Sequence, residues 1–287
     1  MGSKIKPLYI YSVSLFLSLI MLFSPASIAE VEQNDPVAKP LVFGVFPYLP
    51  STRIENIFTP FAKDLEIALH RPVYLRTQSS FEQFRQAVVA GKYDIIYIQP
   101  FDYVRAAAKN NYVPLVRRSK MLNAILVTRK GNEINRLNQL RGKTISMPPE
   151  DAAVSLLGNI ELQLAGIKKG KNIQIKYENN HVACMKKVLT KKTIACMTAR
   201  APFEYFNNKS GNQLVNVFET RKIFPSLIAV HKRIGVVEAE RITQFFIGLE
   251  HTESGRERLE SMRLQRFVKT NDKQYNMVRK IWAKLNP

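Results

Sequence analysis

The sequence predicts an α/β protein with two lobes, and three observations support this prediction. Short apolar runs alternate with segments of helical periodicity in the first 110 residues, which is typical of parallel strands joined by crossover helices. A second set of such units follows residue 130, and apolar strands at residues 123–129 and 226–231 connect the two sets. The composition, 46% hydrophobic and 23% charged, is that of a folded protein with a sizeable core. We therefore expect two lobes and a two-stranded hinge.

The stretch KYDIIYIQPFDYVRA, residues 92–106, is the clearest strand-to-helix unit. Its apolar run IIYI predicts a buried strand, and Pro100 stands where a helix can begin. Small ligands of open α/β sheets bind at such turns, because backbone N–H groups and the helix dipole point into a crevice. Tyr97, Gln99 and Tyr103 are therefore candidate ligand-binding residues, although Tyr97 is equally compatible with the core.

Other candidates lie in turns that we expect at the same crevice. Asp151 precedes a helix predicted over residues 152–165, where it is well placed as the N-cap and where its carboxylate could also bind a cationic group. The remaining candidates follow the first strand or a strand of the second set, and each is also compatible with an ordinary solvated position: Tyr48, Ser51, Arg53, Thr198 and Arg200.

The N-terminus resembles an export signal. Lys4 and Lys6 precede an apolar run over residues 8–23, and Ser27-Ile28-Ala29 offers small residues for cleavage. We predict a cleavable signal peptide over residues 1–29, a polar leader over residues 30–40 and a periplasmic location. An uncleaved membrane anchor is the competing interpretation, although the apolar run is shorter than the ~20 residues of a membrane span.

The formal net charge of +20 favours anionic ligands, acidic partners or anionic surfaces. Nucleic acid is not expected, because the charges are spread along the chain, no nucleic-acid-binding motif is present and the chain carries an export signal. Lysine runs near residues 168–171, 186–187 and 191–192 predict a solvated face or a docking surface. We find no nucleophile–base pair, HExxH motif or Gly-rich phosphate loop, so we expect neither an enzyme nor a cofactor.

Two cysteines lie close to a histidine in the second set of units. Cys184 falls in the first turn of a predicted helix, and Cys196 falls near the end of the next strand. An oxidising compartment favours a disulfide between Cys184 and Cys196. The alternatives are two buried thiols, or a soft-metal or metalloid site built from His181, Cys184 and Cys196. Strand alternation places Cys196 and Met197 on opposite faces, so these residues cannot all converge with His181, Cys184 and Met185 on one ion, which disfavours the metal site.

The chain resembles the periplasmic substrate-binding proteins for phosphate, phosphite and phosphonate uptake. The resemblance rests on six segments in order: FGVFPYLPS, IFTPFAKDLEIALHRPV, GKYDIIYIQPFDYVRA, NAILVTRKGNEINRLNQLRGKTISM, NNHVACMKKVLTKKTIACMTAR and EHTESGRERLESMRLQRFVKTNDKQYNMV. It implies a Venus-flytrap protein of the type 2 periplasmic-binding architecture. One lobe would contain residues 41–122 and 232–287, the other residues 130–225. His181 resembles the cleft histidine of the family.

The resemblance also identifies what this chain lacks. Family members that hold a phosphonate carry a Ser-Thr-Ser run at the start of the second-lobe helix, where this sequence has Ala152-Ala153-Val154. A family tyrosine falls at Ile98, and the residues before the helix are Glu150 and Asp151. Because each lost charge-assisted hydrogen bond costs about 1.5–3 kcal/mol, a dianionic phosphonate is a poor ligand for this sequence.

Two functions follow as expectations. In the first, a monomeric solute-binding protein closes on a small ligand and delivers it to the permease of an ABC transporter. In the second, the same two-lobed module senses a ligand or a redox state and signals to a membrane sensor kinase. Neighbouring genes would separate them, because a permease and an ATPase indicate transport, whereas a kinase indicates sensing.

Overall fold

Two mixed β-sheets form the cores of two lobes in the computed structural model, which describes Gly2 and residues 39–132 and 134–285. The predicted signal peptide and most of the predicted leader lie outside the described residues. Among the helices described, none is long and apolar enough to cross a membrane.

The first lobe is built on a six-stranded sheet within the described residues. Its strands are β1 (Leu41–Val45), β2 (Val73–Arg76), β3 (Ile95–Ile98), β4 (Tyr112–Arg118), β10 (Leu227–His231) and β11 (Phe267–Lys269). The order across the sheet is β11-β4-β10-β3-β1-β2. Strand β1 pairs in parallel with β2 and β3, whereas β10 runs antiparallel to β3 and β4. The parallel pairs confirm the predicted crossover units.

Helices pack on this sheet and on one another through their apolar faces. They are α1 (Ser51–Leu69), α2 (Phe81–Val89), α3 (Pro100–Arg105), α7 (Val236–Gly248), α8 (Glu253–Ser261) and α9 (Asn276–Leu285). Helix α1 buries Ile54, Phe58, Phe61 and Leu65, which recur at helical spacing. Helix α3 begins at Pro100, as the sequence predicts, so Gln99 stands at the turn between β3 and α3.

The second lobe is built on a five-stranded sheet within the described residues. Its strands are β5 (Ala124–Arg129), β6 (Thr144–Met147), β7 (Gln174–Tyr177), β8 (Ala195–Ala199) and β9 (Leu214–Glu219), in the order β7-β6-β8-β5-β9. Its helices are α4 (Ala153–Leu164), α5 (His181–Leu189) and α6 (Arg200–Lys209). Short 3₁₀ turns occupy Ala107–Lys109, Leu137–Leu140, Leu249–His251 and Asp272–Tyr275.

The two apolar strands predicted as a hinge belong to different sheets. Strand β5 lies inside the second sheet, and β10 lies inside the first. The chain crosses between the lobes just before each of these strands. At the crossing, Leu122 and Ile223 exchange backbone hydrogen bonds, with Leu122 N donating to Ile223 O at 2.9 Å and the reverse bond at 2.8 Å. The crossing segments are therefore coupled to each other.

A disulfide joins α5 to β8 in the second lobe, with the Cα atoms of Cys184 and Cys196 5.7 Å apart. Both residues lie in a small buried cluster with Met185, whereas Met197 packs in the main core. Within the described residues, no group of three or more His, Cys, Asp or Glu side chains is placed to hold a metal ion. Disulfide formation in the native protein stays a prediction.

Removing the disulfide tests that prediction. Replacing both Cys184 and Cys196 with Ala should lower the free energy of unfolding by about 3 kcal/mol, because the unfolded chain regains the freedom of a short closed loop. Denaturant titration with and without reductant measures the effect. Reductant should destabilise the wild type and leave the double variant unchanged. Equal insensitivity of both proteins to reductant would show that the thiols are free.

A close approach between Gly44 and Tyr93 supports the centre of the first sheet. A Cβ added at Gly44 would lie 2.6 Å from Cγ of Tyr93, whose buried ring stacks on Phe84 at a centroid distance of 5.3 Å. Gly44→Ala should therefore lower the free energy of unfolding by about 1–3 kcal/mol, because a stacked ring cannot move aside.

The control for this change is Gly248→Ala. Gly248 is helical, and an added Cβ there meets nothing within 4 Å. Its substitution should leave stability unchanged or raise it by up to about 1 kcal/mol. Equal stability of the two variants in urea would contradict the packing described at Gly44.

Candidate functional site

The two lobes meet where the carboxyl ends of β3 and β6 lead into helices. The side chain of Gln99, in the first lobe, reaches the start of α4 in the second lobe. Its Oε1 accepts a hydrogen bond from Ala153 N at 2.8 Å, and its Nε2 donates to the carbonyl of Asp151 at 2.9 Å. Gln99 is only 2% exposed. The oxygen and the nitrogen of one buried carboxamide thus both bind the N-terminus of a helix in the opposite lobe.

An ion-pair network surrounds this carboxamide. Arg85 Nη1 lies 2.5 Å from Asp151 Oδ2 in the second lobe and 3.4 Å from Asp102 Oδ1 in the first. Arg85 also pairs with Glu82, one turn earlier on α2. Gln99 Nε2 donates to Asp102 Oδ2 at 2.7 Å, which closes the network. The interface between the lobes therefore contains both a neutral bridge and a charged bridge.

Burial governs the charges in this network. Asp102 is fully buried, and burial raises the pKa of its carboxyl to about 6, although Arg85 and Gln99 oppose the shift. Burial works against the charge of Arg85, but Asp102, Asp151 and Glu82 outweigh it and raise the pKa of the guanidinium. Arg85 is therefore a permanent cation between two lobes.

The prediction that Asp151 caps α4 is wrong. Helix α4 begins at Ala153, its N-cap is Ala152, and no side chain of its own segment caps it. A turn in which Ala152 N donates to Pro149 O at 2.9 Å places Asp151 one residue before the cap. The capping acceptor comes from Gln99 of the other lobe, and the carboxylate of Asp151 is paired with Arg85.

His181 and Thr198 lie together in the second lobe. His181 begins α5, and its Nδ1 lies 2.8 Å from Oγ1 of Thr198, which is fully buried in β8. Burial lowers the pKa of His181 to about 4. The imidazole is therefore neutral at pH 7, so it can exchange a hydrogen bond with a ligand but adds no positive charge.

Tyr48 and Tyr97 form part of an aromatic cluster at the carboxyl ends of β1 and β3 in the first sheet. Their ring centroids lie 6.1 Å apart, and Tyr97 also packs against Phe46 at 5.3 Å and Phe58 at 5.5 Å. Burial is the main cause that raises the pKa of both phenols, so each hydroxyl remains protonated. The ring of Tyr97 is thus part of the core, whereas Tyr48 is half-buried beside it.

The other candidates are either engaged elsewhere or open to solvent. Tyr103 donates its hydroxyl to Asp272 Oδ1 at 2.8 Å inside the first lobe. Arg200 pairs with Glu219. Ser51 and Arg53 are exposed in the first turn of α1.

Sequence reasoning missed Arg85 and Asp102. Arg85 lies among the apolar residues of α2, at a position that helical spacing predicts to face the core. A cation at such a position was the signal in the sequence that could have identified it. Asp102 occurs in the first turn of α3, where a carboxylate usually has only a local role.

The low pKa of His181 predicts a dependence of stability on pH. Between pH 6.5 and about 4 the unfolded chain binds a proton that the folded protein does not, so stability falls as the pH is lowered through this range. The full contribution is about 3 kcal/mol. Asp102 acts in the opposite direction, because its raised pKa gives the folded state an extra proton between about pH 6 and 3.8.

His181→Gln isolates the histidine. The variant should lose less stability than the wild type between pH 7 and pH 4.5 in denaturant titrations. His251→Gln, at an exposed position, is the matched control and should follow the wild type. Superimposable profiles of wild type and His181→Gln would contradict a buried neutral imidazole.

Several solved structures are similar to this chain over most of its length. PhnD1 from Prochlorococcus marinus, in complex with methylphosphonate, is 19% identical with a TM-score of 0.79, and the match covers 86% of this chain and 98% of that one. A binding protein component of an ABC phosphonate transporter from Pseudomonas aeruginosa is 14% identical with a TM-score of 0.74, covering 84% and 85%. A Xanthomonas citri protein bound to ATP is 13% identical with a TM-score of 0.70, covering 85% and 96%. At these identities the likeness establishes the fold.

Sequence comparison supplies the family. Among curated proteins, no sequence matches the chain. The family profile described as "ABC transporter, phosphonate, periplasmic substrate-binding protein" matches residues 43–275. Together with the two-lobed type 2 fold, this match places the chain among binding proteins rather than enzymes: it belongs to the phosphonate-binding family of periplasmic substrate-binding proteins of ABC transporters.

Proposed function

We propose that this chain captures a small solute between its lobes in the periplasm and delivers it to the permease of an ABC transporter. The observation that supports this most directly is the buried bridge from Gln99 to Ala153 and Asp151. These groups stand at the strand ends where binding proteins of this fold class close on their ligands. A binding protein that delivers a solute presents its two lobes to the permease in a closed arrangement, and here side chains hold the lobes closed.

The same groups argue against a dianionic phosphonate as the solute. In this chain the first amide of α4 is already bonded to Gln99, and Ala153 and Val154 carry no hydroxyl. The hydroxyl of Ser155, in the first turn, donates to the carbonyl of Pro148 at 3.1 Å. Glu150 and Asp151 add two carboxylates beside the helix, paired with Lys169 and Arg85 respectively. A ligand with two negative charges would therefore meet few free donors on the second lobe.

Hinge motion provides the route for the solute. Opening the lobes separates Gln99 from Ala153 and Arg85 from Asp151, while the paired crossing at Leu122 and Ile223 stays intact. Each hydrogen bond exchanged for water costs little net free energy, about 0.5–1.5 kcal/mol, so the bridge permits opening. The solute then adds the contacts that favour closure.

A redox-sensing module is the second candidate function. The disulfide between Cys184 and Cys196 joins α5 to β8, and these same two elements carry His181 and Thr198. Reduction would free α5 to move and would thereby change the wall that bears His181. Neighbouring genes for a membrane sensor kinase, instead of a permease and an ATPase, would favour this alternative.

Gln99→Ala tests the proposed closure. The change removes both interlobe hydrogen bonds of the side chain and should weaken closure by about 1–3 kcal/mol. Small-angle scattering should then show a larger radius of gyration for the variant than for the wild type. Gln244→Ala alters an exposed glutamine on α7 and is the matched control.

A solute screen completes the test. Thermal unfolding in the presence of phosphate, phosphonates, carboxylates and amines should reveal at least one stabilising solute, since a ligand at 100 times its dissociation constant adds about 2.7 kcal/mol. That solute should also restore the compact scattering profile of Gln99→Ala. Identical profiles of the two glutamine variants, with no stabilising solute, would contradict a solute-binding cleft.

A further inference from the structure

We infer that the solute is a small carboxylate, held on the first lobe by Arg118 together with the hydroxyls of Tyr48 and Tyr97. This inference rests on the proposed function and adds the chemical class of the ligand. It assigns recognition of the negative charge to the sheet of the first lobe instead of the helix N-terminus of the second.

The strand register places Arg118 beside Tyr97. Tyr97 of β3 pairs with Ile228 of β10, and Ile228 pairs in turn with Val116 of β4. Paired residues point to the same face of a sheet, and so do residues two apart on one strand. Ser226 and Arg118 each lie two residues from this row, and Arg118 N donates to Ser226 O at 3.2 Å. Arg118 and Ser226 therefore lie on the same face of the sheet as Tyr97, near the carboxyl end of β3.

The guanidinium of Arg118 has an unused donor. Its Nε is shielded from solvent and has no hydrogen-bond partner among the described residues. A buried donor without an acceptor is destabilising, so folded proteins normally satisfy such groups. An acceptor supplied by a bound solute would satisfy this one.

The charged groups that act on the phenols are cations. Burial raises the pKa of Tyr48, and the neighbouring phenol of Tyr97 raises it further. The charges of Arg118 and Arg53 lower this pKa. The hydroxyl of Tyr97 interacts with Arg118 and Ser226. No carboxylate of the described residues contributes to the shift of either phenol. An anionic group is therefore the complement of this corner of the cleft.

Guanidinium geometry and the surrounding rings favour a carboxylate. The planar fork of Arg118 matches two carboxylate oxygens. Arg53 is exposed to solvent, which screens its charge, so Arg118 with two neutral hydroxyls balances a single negative charge. Tyr48 stacks on Phe46 at a centroid distance of 4.9 Å, so apolar surface lies next to these donors. A monoanion with a small apolar body fits both features.

Isothermal titration with acetate, benzoate and butyrate tests the inference, with methylphosphonate and ethylamine as comparison solutes. At least one carboxylate should bind the wild type, and Arg118→Gln should weaken it at least tenfold. Arg129→Gln is the matched control. Its Nε is also buried and has no hydrogen-bond partner in the described part of the chain, but Arg129 ends β5 in the second sheet, next to Leu214. This variant should bind like the wild type.

The outcomes separate the inference from the proposed function. Equal carboxylate affinity in the two arginine variants, or binding of methylphosphonate or ethylamine without any carboxylate, would overturn the inference and leave a solute-binding protein. Binding of none of the five probes would overturn the inference, and the scattering experiment on Gln99→Ala would then decide the proposed function. If Arg118→Gln does not fold, Arg118→Lys replaces it, and the loss of the planar fork should still weaken binding severalfold.

Discussion

The hydrogen bonds of one buried carboxamide hold the cleft in its closed geometry. Gln99 can serve this purpose because an amide side chain has an acceptor and a donor at one end, and the start of α4 offers the matching amide and carbonyl. Arg85 adds a charged contact to Asp151 beside it. The same carboxamide also donates to the buried Asp102 of α3 at 2.7 Å, so it joins α3 to the turn before α4.

The pairing also occupies a helix N-terminus that could otherwise bind an anion. A helix N-terminus binds an acceptor from whatever source is available, and here the protein itself supplies a neutral one. The second lobe therefore gives its first α4 amide to Gln99, and its histidine stays uncharged. The cation that pairs across the lobes, Arg85, belongs to the first lobe.

Much of the architecture could be predicted from the sequence because hydrophobic periodicity is a local property. The parallel units of the first lobe, the start of α3 at Pro100 and the two connecting strands were all visible in the residue pattern. Strand β4 was missed, since Pro114, Arg117 and Arg118 interrupt its apolar run. The contacts of the site were not predictable, because Gln99 and Ala153 are 54 residues apart and meet only after both sheets have formed.

Hydrogen exchange at the amide of Ala153 tests this account most directly. If the carboxamide of Gln99 binds this amide across the lobes, the N–H should exchange slowly in the wild type and much faster in Gln99→Ala, while amides in the interior of α4 keep their protection. Fast exchange of the Ala153 amide in the wild type, or equal protection in both proteins, would show that the two lobes are not joined at this bond.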